Sequence, residues 1–219
     1  MAKIPQYEGV VTASLAECSL WLEDFVGAQA WANLAWSLAQ IQRIERDFVH
    51  AALVQGQAAI GLDDLARSDE RLHHTITRAR TVNSVEFELP ALIALAKLEL
   101  KRNHPADARA RLNDVWEAAE RGPYPMHQAD AYNVLATIAR AEGDTPAAID
   151  AATKAYQAAW CDGPPYAYHW GLQKAKAHLA AFGAAEPDMP PFDESKFEPL
   201  QEVEINPKDE YWLDPDKLD

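Results

Sequence analysis

Hydrophobic and polar residues alternate along most of the chain at the three- and four-residue spacing of amphipathic helices. Short polar turns, such as Asn103-His104 and Gly143-Asp144, interrupt this pattern. The pattern predicts about nine helices and an all-α fold. The predicted helical stretches are Val11 to Phe25, Ala28 to Ile41, Arg46 to Gly61, Leu65 to Val82, the hairpins Pro90 to Trp116 and Asp130 to Tyr156, and Tyr166 to Phe182.

Part of the chain repeats itself. The segment Ala131 to Tyr156 can be laid over Ala91 to Trp116 with an offset of 40, which places Leu135 on Leu95. In both copies the helical pattern breaks at a short polar turn and then resumes. The repeat therefore predicts helix-turn-helix units that stack into an α-solenoid, because a single unit cannot bury its own hydrophobic face.

The best repeat resembles the tetratricopeptide consensus, in which small residues allow the two helices of a hairpin to approach closely. Here the small residues are Ala136 and Ala148, and the turn is Gly143-Asp144. The resemblance implies a tetratricopeptide-like α-solenoid of about four helical hairpins over residues 1–182, with Tyr166 to Phe182 as a terminal capping helix. The hairpin of Arg46 to Val82 is expected to have a longer turn than the consensus.

The composition changes after Gly183. Residues 183–219 hold 6 of the 14 prolines and 12 acidic residues against 3 lysines, a net charge of 3 − 12 = −9. Such a segment is expected to form an extended acidic tail and not another repeat. As an alternative function, the tail could act as an intramolecular regulator that occupies the repeat surface through Phe197, Tyr211 and Trp212.

Charge and cysteine content argue against several classes of partner and structural site. The formal net charge of −14 opposes non-specific attraction to nucleic-acid phosphates. Cys18 and Cys161 are too few and too far apart in sequence to predict a disulfide framework or a zinc site. The first residues lack a signal-peptide pattern and no apolar run approaches 18 residues, so the chain is predicted to be cytoplasmic, without a membrane or nucleic acid as a partner.

Tetratricopeptide arrays bind peptides in the concave groove lined by the first helix of each hairpin. Lysine and arginine side chains on those helices would offer a basic strip to a carboxylate on an otherwise acidic protein. Alternatively, these side chains form a solvated face that balances neighbouring acids such as Glu99. The candidate groove residues are Lys97, Lys101, Asn133, Thr137 and Arg140.

Aromatic residues crowd the turn that precedes the last predicted helix. Gly163-Pro164-Pro165 must end one helix before the next begins. The aromatic side chains either pack the last hairpin against the terminal helix, which is the favoured interpretation, or form a second surface for a partner. The candidate residues of this aromatic turn are Trp160, Tyr166, Tyr168, His169 and Trp170.

Catalytic chemistry is not indicated. Cys161 and His169 could meet across the turn, but the sequence supplies neither oxyanion donors nor further metal ligands for them. No Gly-Lys-Ser/Thr phosphate-binding sequence occurs. We therefore predict a non-enzymatic protein or peptide-binding module without a metal or another cofactor.

Three stretches extend the family resemblance: Trp160 to Leu172, Pro190 to Pro199, and Glu202 to Ile205. In these, and more broadly from about Arg80 to the tail, the chain resembles the C-terminal tetratricopeptide-like regions of bacterial NACHT/STAND-type signalling ATPases. In that family the C-terminal repeats sense a ligand or hold the protein inactive. The resemblance implies either a sensor arm separated from its ATPase or a free-standing relative of that family.

Overall fold

The computed structural model describes residues 5–119 and 122–196. These residues form nine α-helices, followed by an extended segment that ends in one 3-10 turn at Glu194–Lys196. The helices are α1 (Pro5–Trp21), α2 (Phe25–Gln42), α3 (Glu45–Gly61), α4 (Leu65–Thr81), α5 (Val85–Lys101), α6 (Pro105–Ala119), α7 (Pro125–Ala141), α8 (Thr145–Trp160) and α9 (His169–Ala181).

Successive helices form four hairpins, α1–α2, α3–α4, α5–α6 and α7–α8, and α9 packs on the last of them. The first helices of the hairpins also contact one another in order, α1 with α3, α3 with α5 and α5 with α7, and α9 continues the row by contacting α7. This arrangement confirms the predicted all-α helical-repeat solenoid. It also places the inner faces of α5, α7 and α9 side by side.

Residues with a positive φ angle recur at intervals of 20 or 40 positions. They lie at positions 23, 43, 63, 83, 103, 143, 163 and 183, with one more at Cys161, whereas the described Pro123 is not among them. A residue in this conformation ends a helix, and glycine, asparagine and aspartate adopt it most readily. The hairpin period is therefore 40 residues, which is longer than the 34 residues of the tetratricopeptide unit. The tetratricopeptide resemblance thus depends on its small residues and turn and not on its period.

Two predicted details of the helices are wrong. The turn between α3 and α4 has three residues, 62–64, as do the turns 22–24, 82–84, 102–104 and 142–144, so it is not lengthened. Helix α1 begins at Pro5 and ends at Trp21, whereas the hydrophobic pattern indicated Val11 to Phe25. Phe25 starts α2 instead, because the Asp24 carboxylate accepts the Gly27 N–H at 2.9 Å and caps that helix.

The hydrophobic core is centred on α5, which is buried on almost every side between α3, α4, α6 and α7. Leu89, Leu92, Leu95 and Leu98 of this helix are fully buried. Helix α5 therefore fixes the position of the neighbouring first helices. Within the described residues no helix is long and apolar enough to cross a membrane.

The described part of the acidic tail packs against the last helices. Trp160 Nε1 donates to the Pro190 carbonyl at 2.9 Å, and the Glu186 carboxylate accepts from Tyr156 Oη at 2.9 Å and pairs with Lys176 Nζ at 3.1 Å. Ala184 and Met189 pack on the same hydrophobic cluster. The beginning of the tail thus closes the C-terminal end of the solenoid. The tail residues Phe197, Tyr211 and Trp212, which the regulatory alternative invokes, lie outside the described residues.

Candidate functional site

A recess of about 370 Å³ opens where α5, α7 and α9 meet. We call this recess and its rim the groove. Three helices contribute because the first helices and α9 stand side by side, each presenting one stripe of residues three or four apart. The groove is lined by Lys97, Leu100, Lys101, Asp130, Asn133, Val134, Thr137, Lys174 and His178.

Lys97 is the half-buried cation of the groove. Its ammonium makes no hydrogen bond or ion pair with the described residues. Burial lowers the pKa of Lys97, because the charged form loses hydration; Asp130 opposes that shift and Lys174 adds to it. The groove therefore contains a poorly solvated positive charge that an anion would stabilise.

The floor of the groove is polar as well as charged. Asn133 is 4% exposed, and its Nδ2 donates to the Gly171 carbonyl of α9 at 3.0 Å. Its Oδ1 has no hydrogen-bond partner among the described residues. Asp130 accepts a hydrogen bond from Tyr168 Oη at 3.1 Å, and burial, followed by the neighbouring carboxylate, raises the pKa of Tyr168. These bonds hold α7 against α9 and fix the width of the groove.

Positive charge continues around the rim. Lys174 is exposed and lies one helical turn from His178 on α9. The pKa of His178 is lowered, first by burial and then by Arg140. Lys101 lies at the outer edge, where its Nζ pairs with Asp63 at 3.0 Å in the α3–α4 turn. Asp130 is the single carboxylate that lines the groove within the described residues.

The structure brings most of the predicted groove residues together. Lys97, Lys101, Asn133 and Thr137 all line the recess. Thr137 donates its hydroxyl hydrogen to the Asn133 carbonyl within α7 at 3.0 Å. Arg140 is exposed beyond the recess, near enough to His178 to affect its pKa but not part of the lining.

Sequence reasoning missed Lys174 and His178. Both lie on α9, which the sequence predicted only as a cap. Their spacing of four residues was the available signal, because a helix that follows the last hairpin occupies the place of another first helix. Its inner face therefore extends the groove.

The residues of the aromatic turn separate into two groups. Trp160 stacks on Tyr156 with ring centroids 5.8 Å apart, and Tyr168 is half-buried between α7 and α9. Tyr166, at 59%, and Trp170, at 41%, are exposed, as is His169, whose ring meets the Trp170 ring edge-on at 5.3 Å. Packing accounts for the first group. The second group stays a candidate contact surface.

The groups considered for catalysis or metal binding are occupied by local bonds. The Cys161 thiol donates to the Ala158 carbonyl at 3.7 Å, within its own helix end. A cluster of Glu99, His104 and Asp107 has metal-ligand atom types, but both Glu99 oxygens already have partners, Arg102 at 2.9 Å and His104 at 3.3 Å. We assign neither group a role in the site.

The described residues define a helical-repeat solenoid with a cationic groove between α5, α7 and α9. No protein-family model and no curated protein matches the chain. Among solved structures, the chain is similar to BtubC (BKLC) from P. vanneervenii, with 14% sequence identity and a TM-score of 0.59 over 85% of this chain and 87% of that one. At this level of identity the similarity shows the fold alone.

Proposed function

We propose that the protein is a non-catalytic interaction module whose groove binds an acidic segment of a peptide or protein. The observation that carries this proposal is Lys97, a half-buried ammonium without a bonded partner among the described residues. A carboxylate placed beside it would recover the electrostatic stabilisation that burial removes. Lys174 would strengthen the same preference.

The size and lining of the groove support a peptide over a larger rigid ligand. A volume of about 370 Å³ accommodates one or two side chains or a chain end. Leu100 and Val134 provide apolar surface next to the lysines. The preferred ligand therefore combines an acidic group with an adjacent aliphatic side chain.

A displayed library of random peptides, with both internal and free C-terminal carboxylates, tests this specificity. We expect the intact chain to enrich peptides that carry Asp, Glu or a free C-terminus beside an aliphatic residue. Lys97→Met should abolish the enrichment, whereas Lys154→Met should retain it, because Lys154 lies on α8 and pairs with Asp150 at 2.7 Å. Enrichment of basic peptides, no enrichment, or equal enrichment by both variants would refute the proposal.

The same Lys97→Met variant separates loss of binding from loss of folding. Replacing a desolvated ammonium by an apolar side chain of similar length is expected to raise the free energy of unfolding by about 1 kcal/mol. Urea denaturation of the unliganded chain measures this change. A variant that is less stable than the parent would contradict our description of Lys97 as a poorly solvated charge without a bonded partner.

A narrower role is consistent with the resemblance to bacterial NACHT/STAND-type signalling ATPases. In this proposal the groove is the ligand-sensing arm of a bacterial signalling or defence system. The acidic peptide would then be the signal, and a separate module would respond to it. Reconstitution with an ATPase module of that family would test this role, with peptide-dependent ATP hydrolysis as the supporting result and hydrolysis that ignores the peptide as the refuting one.

A second candidate function is intramolecular regulation by the acidic tail. The tail already contacts the solenoid as far as Phe192, whose ring lies 5.1 Å from that of Tyr166. Lys176, which holds the tail, is two residues from Lys174 and therefore faces away from the groove. Deletion of residues 197–219 keeps the contacts of the tail up to Phe192 and tests whether the removed residues occupy the groove. Higher affinity for acidic peptides would identify the removed residues as a competitor, and unchanged affinity would exclude regulation at the groove.

A further inference from the structure

The N-terminal end of the solenoid is unusually apolar. Ten of the fifteen large hydrophobic side chains that the described residues leave exposed belong to residues 7–41. Most of them form one stripe along each helix, in which successive members are three, four or seven residues apart and therefore lie on the same side of the helix. On α1 the stripe is Tyr7, Val11 and Leu15, and on α2 it is Trp31, Leu34 and Ile41. We call these six residues the N-terminal apolar face.

The two stripes border one depression. A recess of about 370 Å³ lies between α1 and α2, and three of the six residues, Tyr7, Val11 and Leu34, line it. Leu34 is 46% exposed and Val11 is 57% exposed, so neither is covered by the rest of the described chain. Terminal repeats of solenoids normally have a polar outer surface, since an apolar one promotes association. The N-terminal apolar face thus has the properties of an interface.

Charge is almost absent from this face, although the whole chain carries −14. Helix α2 has no charged residue in its 18 positions, and Glu8 is the single charged residue lining the recess. A basic or acidic partner would find no complementary charge here. A second copy of this chain offers a surface of the same neutral, apolar character, and the long-range repulsion between two acidic copies is weakest where the contact area is uncharged.

We propose that two copies of the chain associate through the N-terminal apolar face in a two-fold symmetric dimer. Symmetric pairing brings the α2 ridge of each copy, with Trp31 and Leu34, against the recess of the other. Helix α1 has 17 residues and is about 25 Å long, so two adjacent helices present roughly 500 Å² per copy. The total of about 1,000 Å² is close to the lower limit for a specific interface. The dimer is therefore expected to dissociate on dilution.

This arrangement leaves the groove free. The N-terminal apolar face belongs to the first hairpin, whereas the groove is formed by α5, α7 and α9. The dimer would hold two grooves in a fixed relation and raise the effective affinity for a ligand that carries two acidic segments. Failure of peptide binding would not affect the dimer, and failure of the dimer would not affect peptide binding.

Sedimentation velocity of the full chain over a hundredfold range of concentration tests the proposal. We expect the wild type to change from monomer to dimer with rising concentration. The variant Trp31→Glu/Leu34→Glu should remain monomeric throughout the range. The control Leu62→Glu/Val82→Glu adds the same two negative charges at side chains that are 41% and 46% exposed, and it should dimerise like the wild type.

The control distinguishes a specific face from a general effect of charge. Loss of the dimer in both double variants would show that added charge alone prevents association and would overturn the proposal. A wild type that stays monomeric, or a Trp31→Glu/Leu34→Glu variant that still dimerises, would overturn it as well. Thermal melts that match the wild type would show that the exposed substitutions leave the fold intact.

Discussion

The two ends of the solenoid differ in the size of the hydrophobic side chains that they bury. At the C-terminal end, α8 and α9 bury Tyr156, Leu172 and Leu179, and the start of the tail covers the outer side. At the N-terminal end, every hydrophobic side chain of the described α1 and α2 that is fully buried is an alanine, and the large ones are either exposed or, like Leu20 and Trp36, only partly buried. Those alanines are Ala13, Ala16, Ala28, Ala32, Ala35 and Ala39.

The turns that end the helices are also less favourable at the N-terminal end of the solenoid than at the C-terminal end. The left-handed positions near the N-terminus are Glu23 and Arg43, residues that pay a steric penalty there, whereas Gly143 and Gly183 occupy the equivalent positions near the C-terminus. The N-terminal hairpin is therefore held by less buried surface and by less favourable turns. Within the described residues, one end of the solenoid is therefore covered by the following segment of the chain and the other is not.

Truncation of one leucine to alanine at each end of the solenoid is expected to give the largest difference in stability. Leu179→Ala is expected to lower the free energy of unfolding by about 3 kcal/mol, because it leaves a cavity in the C-terminal cluster. Leu34→Ala should change it by no more than about 0.5 kcal/mol, since this side chain is exposed in the monomer. Urea denaturation at low protein concentration measures both. Equal losses would mean that the N-terminal end is packed like the C-terminal one.

Exchanging glycine and glutamate at the left-handed turn positions is expected to change the free energy of unfolding by a smaller amount. Gly143→Glu should destabilise the fold by about 1 kcal/mol through backbone strain alone, because an added Cβ would have no atom within 4 Å. Glu23→Gly should have the opposite sign and stabilise by up to about 1 kcal/mol. The pair is read from chemical denaturation of single variants. A loss on Glu23→Gly would show that the Glu23 side chain contributes more than its turn conformation costs.

The smallest expected effect is on pH dependence. Burial lowers the pKa of His127 and of His178 below the ordinary value near 6.5, and burial has the same effect on His74. The unfolded chain therefore binds these protons first, so the stability they contribute is complete above about pH 6.5 and declines as the pH falls below it.

The double variant His127→Gln/His178→Gln should reduce this decline more than His74→Gln does. The C-terminal half has two such histidines against one nearer the N-terminus. Thermal unfolding between pH 5 and pH 7.5 is the measurement, with differences of a few degrees expected. Identical pH profiles for both variants would place the relevant protonation elsewhere.

Much of the candidate site followed from the repeat in the sequence. Lys97 and Thr137 coincide when the two copies are aligned with the offset of 40, so both were placed on the inner face of a first helix. Lys174 and His178 did not follow, because they belong to a helix without a second member. The exposure of Trp31 and Leu34 could not be predicted from the sequence either, since a hydrophobic pattern identifies an apolar face but not what covers it.

The sequence by itself determined the helices, their pairing into hairpins and the regular turns, because helical periodicity and turn conformation depend on residues close together in the chain. Tertiary structure decided which apolar stripes are buried, which end is covered and how Lys97 meets Lys174 and Asp130 across three helices. These features depend on contacts between residues tens of positions apart. Their energies are set by desolvation and packing in three dimensions, which no local pattern of residues encodes.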